Sequence, residues 1–368
     1  MTARRKRGGA EQLAVVALPR SLSRRRLVVL LLTVLLLWWL VAEPQGEIAR
    51  RNKKFKRQGS KFGNQKLPAN ADDVHMWPPP PPIGPKKYNS PDLVIFVLTR
   101  RDGEGLHKRM AIRETWAEGY DNVWFMVGQD CTIPHKYRNT NTCESNGEEI
   151  LPEDQAAHDK VMAETTRHLA SERKHYPNLI ELPMIDTYKN LPRKLKEAYR
   201  WCLENTDAKW LLKSDDDQFI RVELTTKMFG DGWGGGKGRT IVSAGFVRGA
   251  NVHRDGKWAE KKYKHAKWPA FPSGGAHAVS RDLAQYIVDN SESEATEEFQ
   301  GEDVSLGVWL HMAPWTPTLA TSKRFVSHDG NRCFDKTKYV VGHDISELQM
   351  HKCFDKTRAH TAPSGRRV

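Results

Sequence analysis

Hydrophobic positions in the middle of the chain follow two alternating patterns, a continuous run and a helical repeat. Leu93–Leu98 has the sequence LVIFVL, an uninterrupted apolar run typical of strands that are buried on both faces. Residues 107–119 have helical character and close on Gly119, and a second apolar run follows at Val123–Val127. Two strands that flank a helix form a βαβ unit. The pattern therefore predicts an α/β fold with a mostly parallel sheet flanked by helices.

The same alternation continues along the chain and leads into an acidic segment. Leu191, Leu195 and Tyr199 recur at four-residue spacing, which predicts a helix. The next apolar element, Trp210–Leu212, runs directly into Ser214 and three aspartates. Ligands of open α/β sheets bind at the carboxyl ends of strands, so this segment lies where a binding site is expected.

The acidic segment consists of Asp215, Asp216 and Asp217, whose carboxylates repel one another. A solvated turn is one interpretation. In WLLKSDDDQFIRV, however, the triplet stands between two apolar stretches, so we expect it to lie against the core. Hard cations such as Mg²⁺ and Mn²⁺ bind carboxylate oxygens and bridge to substrate phosphates. Asp215 and Asp217 are then the outer members of a D-x-D metal motif.

Three further segments place polar groups next to apolar runs. The Ser273–Gly275 turn lets the backbone approach a ligand closely, and Ser280 is placed to cap the following helix. Glu302 and Asp303 precede an apolar helix or strand, where a carboxylate can serve as general base if the fold brings it near the metal site. His343 follows a short strand and suits either a third metal ligand or a structural hydrogen bond.

The amino-terminal region has a different pattern. Residues 27–42 form an apolar run in which only Thr33 is polar, and residues 24–26 before it are all arginine. A helix of this length spans roughly 24 Å, which is shorter than a hydrocarbon core of about 30 Å. A thin bilayer and arginine side chains that extend to the interface compensate for this difference. The basic residues before the run predict a single span with residues 1–26 in the cytosol. A cleaved signal peptide ending at Ala42 is the alternative, and both interpretations send the remaining chain into the secretory lumen.

The region after the span is predicted to form a stem over residues 43–92, followed by a folded domain over 93–358 and a tail over 359–368. The stem contains the run Pro78–Pro82, which favours an extended polyproline conformation and acts as a spacer. In the lumen disulfides are expected, and with five cysteines at least one is free or pairs between chains. Cys131 with Cys143 is the first pair that we expect.

The formal net charge of +13 comes from the amino-terminal region. Residues 1–66 contain 16 Lys and Arg against 3 Asp and Glu, whereas the rest of the chain contains 42 of each kind. The folded part is therefore neutral by formal charge. A nucleic-acid-binding surface needs an excess of Lys and Arg on the domain itself, so no nucleic-acid partner is expected.

Four segments occur in an order and at a spacing typical of one enzyme family: RMAIRETW (109–116), WLLKSDDDQF, FPSGGAHAVS and GEDVSLG. On these segments the chain between Leu93 and His351 resembles glycosyltransferase family 31, which comprises Golgi β-1,3-galactosyltransferases and β-1,3-N-acetylglucosaminyltransferases. LLKSDDD, EDVSLG and YVVGHDISELQMH are most similar to the β-1,3-galactosyltransferases of the proteoglycan linkage region. SGGAHAVS departs from the more usual SGGGYVLS, a difference that bears on acceptor contacts.

The resemblance implies a single-pass type II protein of the Golgi membrane whose lumenal catalytic domain has a GT-A fold with a Rossmann-like, mostly parallel sheet. It implies an inverting, Mn²⁺-dependent enzyme that transfers galactose from UDP-galactose to a glycan acceptor of a glycoprotein, proteoglycan or glycolipid. The alternatives are N-acetylglucosamine as the donor sugar and a glycan-binding relative without catalysis. A third hypothesis, a glycoside hydrolase, requires a pair of acids across the scissile bond rather than a metal cluster.

The resemblance also implies roles for individual residues. Asp217, Asp215 and His343 would hold Mn²⁺, which neutralises charge on the UDP leaving group. Asp303 would accept the proton of the acceptor hydroxyl as general base, and Glu302 would orient the acceptor.

Three polar residues and two tryptophans complete the candidate site. Asp216 is expected to contact the bound cofactor. Arg109 and Arg113 lie four residues apart on one helix face and suit either nucleotide binding or pairing with acidic residues. Trp258 and Trp268 suit either apolar platforms for a sugar ring or ordinary buried positions.

Overall fold

The computed structural model describes residues 92–232, 238–256 and 258–358 of the 368-residue chain. The predicted cytosolic tail, the span at 27–42, the stem apart from Asp92, and the tail at 359–368 lie outside these ranges. Among the described residues, no helix combines the length and the apolar character needed to cross a membrane.

Strands and helices alternate along the described chain. The strands are β1 (Leu93–Leu98), β2 (Val123–Gln129), β3 (Leu179–Ile185), β4 (Trp210–Asp215), β5 (Phe219–Ile220), β6 (Thr240–Ser243), β7 (Phe246–Val247), β8 (Phe271–Pro272), β9 (His277–Ser280), β10 (Thr318–Thr321), β11 (Phe325–Val326) and β12 (Val340–Val341). The α-helices are α1 (Gly103–Glu114), α2 (Pro152–His175), α3 (Leu191–Asn205), α4 (Val222–Gly230), α5 (Arg281–Asp289), α6 (Glu302–Met312) and α7 (Glu347–Arg358).

The central sheet has seven strands in the order β10-β6-β9-β4-β1-β2-β3. Strand β9 runs antiparallel to its neighbours β4 and β6, and the other pairs in the sheet are parallel. Two small sheets, β11-β12-β5 and β7-β8, lie outside it. The predicted α/β arrangement with a mostly parallel sheet is confirmed, and it fits the GT-A type that the resemblance implies.

Both faces of the central sheet are covered, as the continuous apolar run in β1 predicts. Alternate residues of a strand point to opposite faces. Ile95 packs in one core with Ile112 of α1, whereas Phe96 packs in a second core with Leu195 and Tyr199 of α3. All six residues of β1 are buried, which explains why the run contains no polar position.

Most predicted elements form at or near their predicted bounds. Helix α1 begins earlier than predicted because the Asp102 side chain accepts the N–H of Gly105 and caps its start. It ends at Glu114 rather than at Gly119. Strand β4 extends further than predicted, to Asp215, so the acidic segment begins inside the sheet.

Two disulfides fasten segments of the folded domain. Cys131–Cys143 forms as predicted. Cys333 and Cys353, which begin the two CFDKT segments, also pair, and this bond links α7 to the turn before β12. The remaining cysteine, Cys202, is buried and free. Disulfides of this kind are typical of proteins that fold in an oxidising compartment.

Candidate active site

Strand β4 places the first carboxylate of the site at the carboxyl edge of the central sheet. Its last residue, Asp215, donates its N–H to the carbonyl oxygen of Gly275 at 3.1 Å. A Cβ added at Gly275 would lie 2.3 Å from Oδ2 of Asp215. The second glycine of the Ser273–Gly275 turn thus leaves room for this carboxylate and for the Gln218 amide, both of which a side chain there would displace.

Asp215, Asp217 and His343, the predicted metal ligands, are brought together at this edge. One potential ligand atom from each residue lies within 4.8 Å of the others. Oδ1 of Asp217 is buried and has no hydrogen-bond partner among the described residues. Two carboxylates and an imidazole, with one carboxylate oxygen left unpaired, form a donor set that suits a divalent cation such as Mn²⁺.

Hydrogen bonds hold the His343 segment against Asp217. Nδ1 of His343 lies 3.3 Å from Oδ2 of Asp217, and the Asp344 N–H donates to the same oxygen at 3.2 Å. Burial acts to raise the pKa of Asp217, but the bonds from His343 and Asp344 outweigh it and hold this pKa below its ordinary value. The bond to Asp217 in turn raises the pKa of His343. The His328 ring stacks on the His343 ring, with centroids 5.5 Å apart, and restricts its plane.

Lys213 is a buried cation in the site that the sequence interpretation missed. Its Nζ lies 2.6 Å from Oδ1 of Asp215 and 3.0 Å from Oε1 of Glu302, and its side chain is 1% exposed. Burial acts to lower the pKa of Lys213, but the two carboxylates outweigh it and raise this pKa, so the ammonium stays charged. For Glu302, burial acts to raise the pKa and Lys213 outweighs it, so the pKa lies below its usual range. A lysine inside an apolar strand was the signal available, because lysine is rarely buried without a partner.

Asp303 lies beside Glu302 in the first turn of α6. Gly301, just before the helix, has φ 100°, a left-handed conformation that favours glycine. Oδ1 of Asp303 accepts the N–H of Val304 at 2.8 Å. Burial and the negative charge of Glu302 raise the pKa of Asp303 to about 6. A carboxylate with this pKa is ionised at neutral pH yet basic enough to accept a proton, as a general base must be.

Asp216, the middle residue of the triplet, is held by other residues. Its Oδ2 accepts a hydrogen bond from the Thr99 hydroxyl at 2.8 Å, and its Oδ1 accepts one from Nζ of Lys108 at 3.0 Å. These partners hold the Asp216 carboxylate apart from the cluster that contains Asp215 and Asp217. Both of its oxygens already have partners, so the structure gives it a role in fixing Thr99 and α1 to the site edge, while its predicted contact with a cofactor stays a prediction.

Comparison with known proteins identifies the domain that carries this geometry. A family model described as Galactosyltransferase matches residues 156–315, which include β4, the turn at Ser273–Gly275 and all of α6. Residues 156–315 therefore contain a galactosyltransferase domain of the glycosyltransferase family 31 type. The resemblance inferred from its four segments is thereby confirmed.

Two kinds of family-31 relative are similar to this chain. UDP-GalNAc:β-1,3-N-acetylgalactosaminyltransferase 2 of Xenopus laevis is 28% identical over 256 residues, which cover 66% of this chain and 48% of the relative. The human protein of the same name is 34% identical over 161 residues, covering 42% and 30%. Beta-1,3-galactosyltransferase 6 of Mus musculus is 28% identical over 277 residues, covering 70% and 71%. The chain thus spans about half or less of the length of the N-acetylgalactosaminyltransferases that it matches.

The two arginines of RMAIRETW occupy buried positions in this family-31 domain. Nη2 of Arg109 and Nη1 of Arg113 each lie 2.6 Å from a carboxylate oxygen of Glu172 in α2. Arg109 is 0% exposed and Arg113 is 6% exposed. Of the two alternatives, the structure shows pairing with an acidic residue. The nucleotide-binding role is not supported, because the Arg109 guanidinium is fully enclosed by protein.

The residues by which SGGAHAVS differs from the more usual family-31 sequence SGGGYVLS lie in the core. Its differing residues, Ala276, His277, Ala278 and Val279, are all at most 7% exposed. The hydroxyl of Tyr199 lies 2.8 Å from Nε2 of His277. These side chains pack beneath the site rather than facing it, so the departure alters core packing and not a direct acceptor contact.

The two tryptophans differ in their surroundings. Trp268 is 6% exposed and stacks on Tyr263, with ring centroids 4.4 Å apart, so it is an ordinary buried tryptophan. Trp258 is 57% exposed, and its Nε1 donates to the Tyr188 hydroxyl at 3.2 Å. Only Trp258 of this pair presents its ring to solvent.

Proposed function

We propose that this chain is an inverting β-1,3-glycosyltransferase that transfers a sugar from a UDP-sugar to a hydroxyl group of a glycan acceptor, with Mn²⁺ as cofactor. One observation carries the proposal: at one edge of a family-31 domain, Lys213 joins Asp215 of the metal-binding cluster to Glu302, and the neighbour of Glu302 in α6 is Asp303, a carboxylate of raised pKa. A glycoside hydrolase has no need of the metal-binding cluster.

The residues that would hold Mn²⁺ are Asp215, Asp217 and His343. The unpaired, buried Oδ1 of Asp217 supports this assignment because a buried carboxylate oxygen without a partner is costly. When bound there, the ion supplies Lewis-acid stabilisation of the departing UDP. The hydrogen bonds from the His343 segment restrain Asp217 before any cation binds.

Asp303 would accept the proton of the acceptor hydroxyl. As the acceptor oxygen forms its bond to the anomeric carbon, the bond from that carbon to the UDP oxygen breaks and the proton moves to Asp303. A single displacement of this kind inverts the anomeric centre, which gives a β product from an α donor. Glu302 stays ionised beside Lys213 and would accept a hydrogen bond from the acceptor, thereby orienting it.

Galactose is the donor sugar that we favour, and N-acetylgalactosamine is a second candidate. The named β-1,3-galactosyltransferase of mouse supports galactose because its similarity extends over 71% of its own length. The named N-acetylgalactosaminyltransferases support the second sugar. N-acetylglucosamine, the alternative within the family, has no named relative among these.

A donor panel tests the proposal. The purified full chain is incubated with UDP-galactose, UDP-N-acetylgalactosamine or UDP-N-acetylglucosamine, with Mn²⁺ or with a chelator, and released UDP is measured with and without a panel of glycan acceptors. We expect Mn²⁺-dependent release that increases with one acceptor class. Binding of UDP without any turnover would favour the inactive glycan-binding relative. UDP release that is unchanged by the chelator would contradict the metal assignment.

The catalytic domain is proposed to lie in the Golgi lumen behind a single membrane span at residues 27–42. The apolar run and the basic residues before it support the span. The two disulfides support a lumenal location. Protease treatment of intact microsomes tests both points, since an amino-terminal tag should be digested while the domain is protected.

A further inference from the structure

Residues 248–256 and 258–270, between β7 and β8, belong to a loop that is fastened to the turn just before α6. Glu260 in this loop is 6% exposed, and its carboxylate accepts the N–H groups of Lys262 and Tyr263. Its Oε2 also accepts the N–H of Gln300 at 2.9 Å. Gln300 stands two residues before Glu302, so one buried carboxylate ties the loop directly to the turn that presents the proposed acceptor-side residues.

A second residue gives the loop a defined shape. Nη1 of Arg254 donates to the carbonyl oxygens of Glu260 and Tyr263, both at 2.7 Å, and its Nη2 donates to that of His265 at 2.8 Å. The base of the loop packs through Trp268 into an aromatic cluster. The loop is therefore held by side chains from within and is not an unconstrained connection.

Trp258 is exposed on this otherwise well-anchored loop. Its indole N–H is bonded to Tyr188, and its ring lies 6.3 Å from the His253 ring between centroids. Tyr188 is close to the site: burial raises the pKa of its phenol, and the nearby carboxylates of Glu302, Asp303 and Asp215 raise it further against the opposing effect of the hydrogen bond from Trp258. A large aromatic surface is thus held at the rim of the catalytic carboxylates.

We propose that Trp258 forms an acceptor subsite that binds a pyranose ring by stacking on its apolar C–H face, with Tyr188 and Glu260 as positioning residues. The inference rests on the proposed function, because it treats Glu302 and Asp303 as the acceptor side of the site. The donor side is defined by Asp215 and Asp217 across Lys213, whereas the loop is fastened to the turn at Gln300. The bond to Gln300 is the contact by which the exposed indole is assigned to the acceptor side of the site.

The test measures binding of simple glycosides and of UDP separately. Methyl β-galactopyranoside, methyl N-acetyl-β-glucosaminide and methyl N-acetyl-β-galactosaminide are titrated against the full chain in detergent with UDP and Mn²⁺, using ligand-observed saturation-transfer NMR. Compared with wild type, Trp258→Ala should weaken the best glycoside about tenfold or more, and Trp258→Phe should weaken it less. The control Met312→Ala, 51% exposed at the far end of α6, should change nothing.

The outcomes separate this inference from the proposed function. UDP affinity should stay within about twofold in every variant, because Trp258 is assigned no nucleotide contact. The subsite is wrong if Trp258→Ala binds glycosides as wild type does, if it loses UDP affinity instead, or if wild type binds none of the three glycosides. If glycosides bind through Trp258 but UDP and Mn²⁺ do not bind, the subsite stands and the proposed transferase function fails.

Glu260→Gln tests the positioning role in a double-mutant cycle. The amide keeps one acceptor oxygen but loses the charge that holds the loop to Gln300, so glycoside affinity should fall with Trp258 still present. In the Trp258→Ala background the same change should have no further effect, because Glu260 acts through the indole. Equal losses in both backgrounds would mean that Glu260 only supports the fold.

Discussion

Nζ of Lys213 lies 3.0 Å from Oε1 of Glu302, and the same ammonium lies 2.6 Å from Oδ1 of Asp215. One buried cation therefore contacts both halves of the proposed site, the metal side through Asp215 and the acceptor side through Glu302. The β-strand repeat explains the first contact, since residues two apart in β4 project to the same face. The second depends on α6 docking against the sheet, which brings together residues 89 positions apart.

Replacing Lys213 tests this bridge. Lys213→Met leaves two carboxylates buried without their ammonium, so we expect the free energy of unfolding to fall by about 3–5 kcal/mol and turnover to fall with it. The matched control is Lys209→Met, just before the start of β4, where the side chain is 77% exposed and pairs with Asp92. Urea unfolding and UDP release measure the two effects. Turnover equal to wild type in Lys213→Met would show that the bridge is dispensable.

The assignment of the general base is tested by Asp303→Asn. The amide keeps the shape of the side chain but accepts no proton at neutral pH, so turnover should fall by about 10²- to 10⁴-fold. UDP and Mn²⁺ affinity should barely change. Glu302→Gln should reduce turnover less and act mainly on acceptor KM. If the larger loss of turnover occurs in Glu302→Gln, the base is Glu302, and if neither variant loses turnover the base lies elsewhere.

The raised pKa of Asp303 predicts the pH dependence of turnover. Because the base acts only when deprotonated, kcat should rise with pH through about 6 and then level off. Below pH 6 we expect a loss of about tenfold per pH unit at saturating donor, set by the deprotonated fraction. Asp303→Asn should remove this acid limb from its residual activity. An unchanged acid limb in that variant would assign the titration to another group.

Local patterns predicted the parts of the site that lie close together in the sequence. The apolar run of β1 matches the predicted strand, and the carboxylates that follow Trp210–Leu212 lie at the carboxyl edge of the sheet as parallel topology requires. The Cys131–Cys143 disulfide closes a short segment of 12 residues and was also predicted. Each of these features depends on neighbouring residues and on the general geometry of parallel sheets.

Long-range ion pairs could not be predicted in the same way. The sequence shows that Arg109 and Arg113 share a helix face, but their partner Glu172 lies 63 and 59 residues away on a helix whose docking no local pattern specifies. Lys213 was likewise missed because its partner Glu302 comes from another element. Which charged residues meet in the interior is decided by how helices pack on the sheet.

The metal assignment predicts the effect of removing Asp217. Asp217→Ala deletes both the unpaired oxygen and the acceptor that restrains His343, so Mn²⁺-dependent UDP binding should be lost while the fold is retained. The control is Asp207→Ala, an exposed aspartate before β4 at the opposite end of the strand. Calorimetry with and without Mn²⁺ measures the binding. UDP affinity that is unchanged and still dependent on Mn²⁺ in Asp217→Ala would assign the metal to other ligands.

The buried cluster of Glu172 with Arg109 and Arg113 predicts a change in stability without a change in nucleotide affinity. Burial acts to raise the pKa of Glu172, but the two arginines outweigh it and lower this pKa. The ionised carboxylate therefore stabilises the folded protein fully at pH values above its unfolded pKa. This stabilisation is lost as the pH falls through the lowered pKa of the folded state. Glu172→Gln leaves two buried guanidinium groups without their anion and should cost about 3–5 kcal/mol in the free energy of unfolding. Glu153→Gln, an exposed change in the same helix, should cost little. UDP affinity of the folded protein should be the same in wild type and both variants. If Glu172→Gln lost UDP affinity without losing stability, the two arginines would instead be assigned to nucleotide binding.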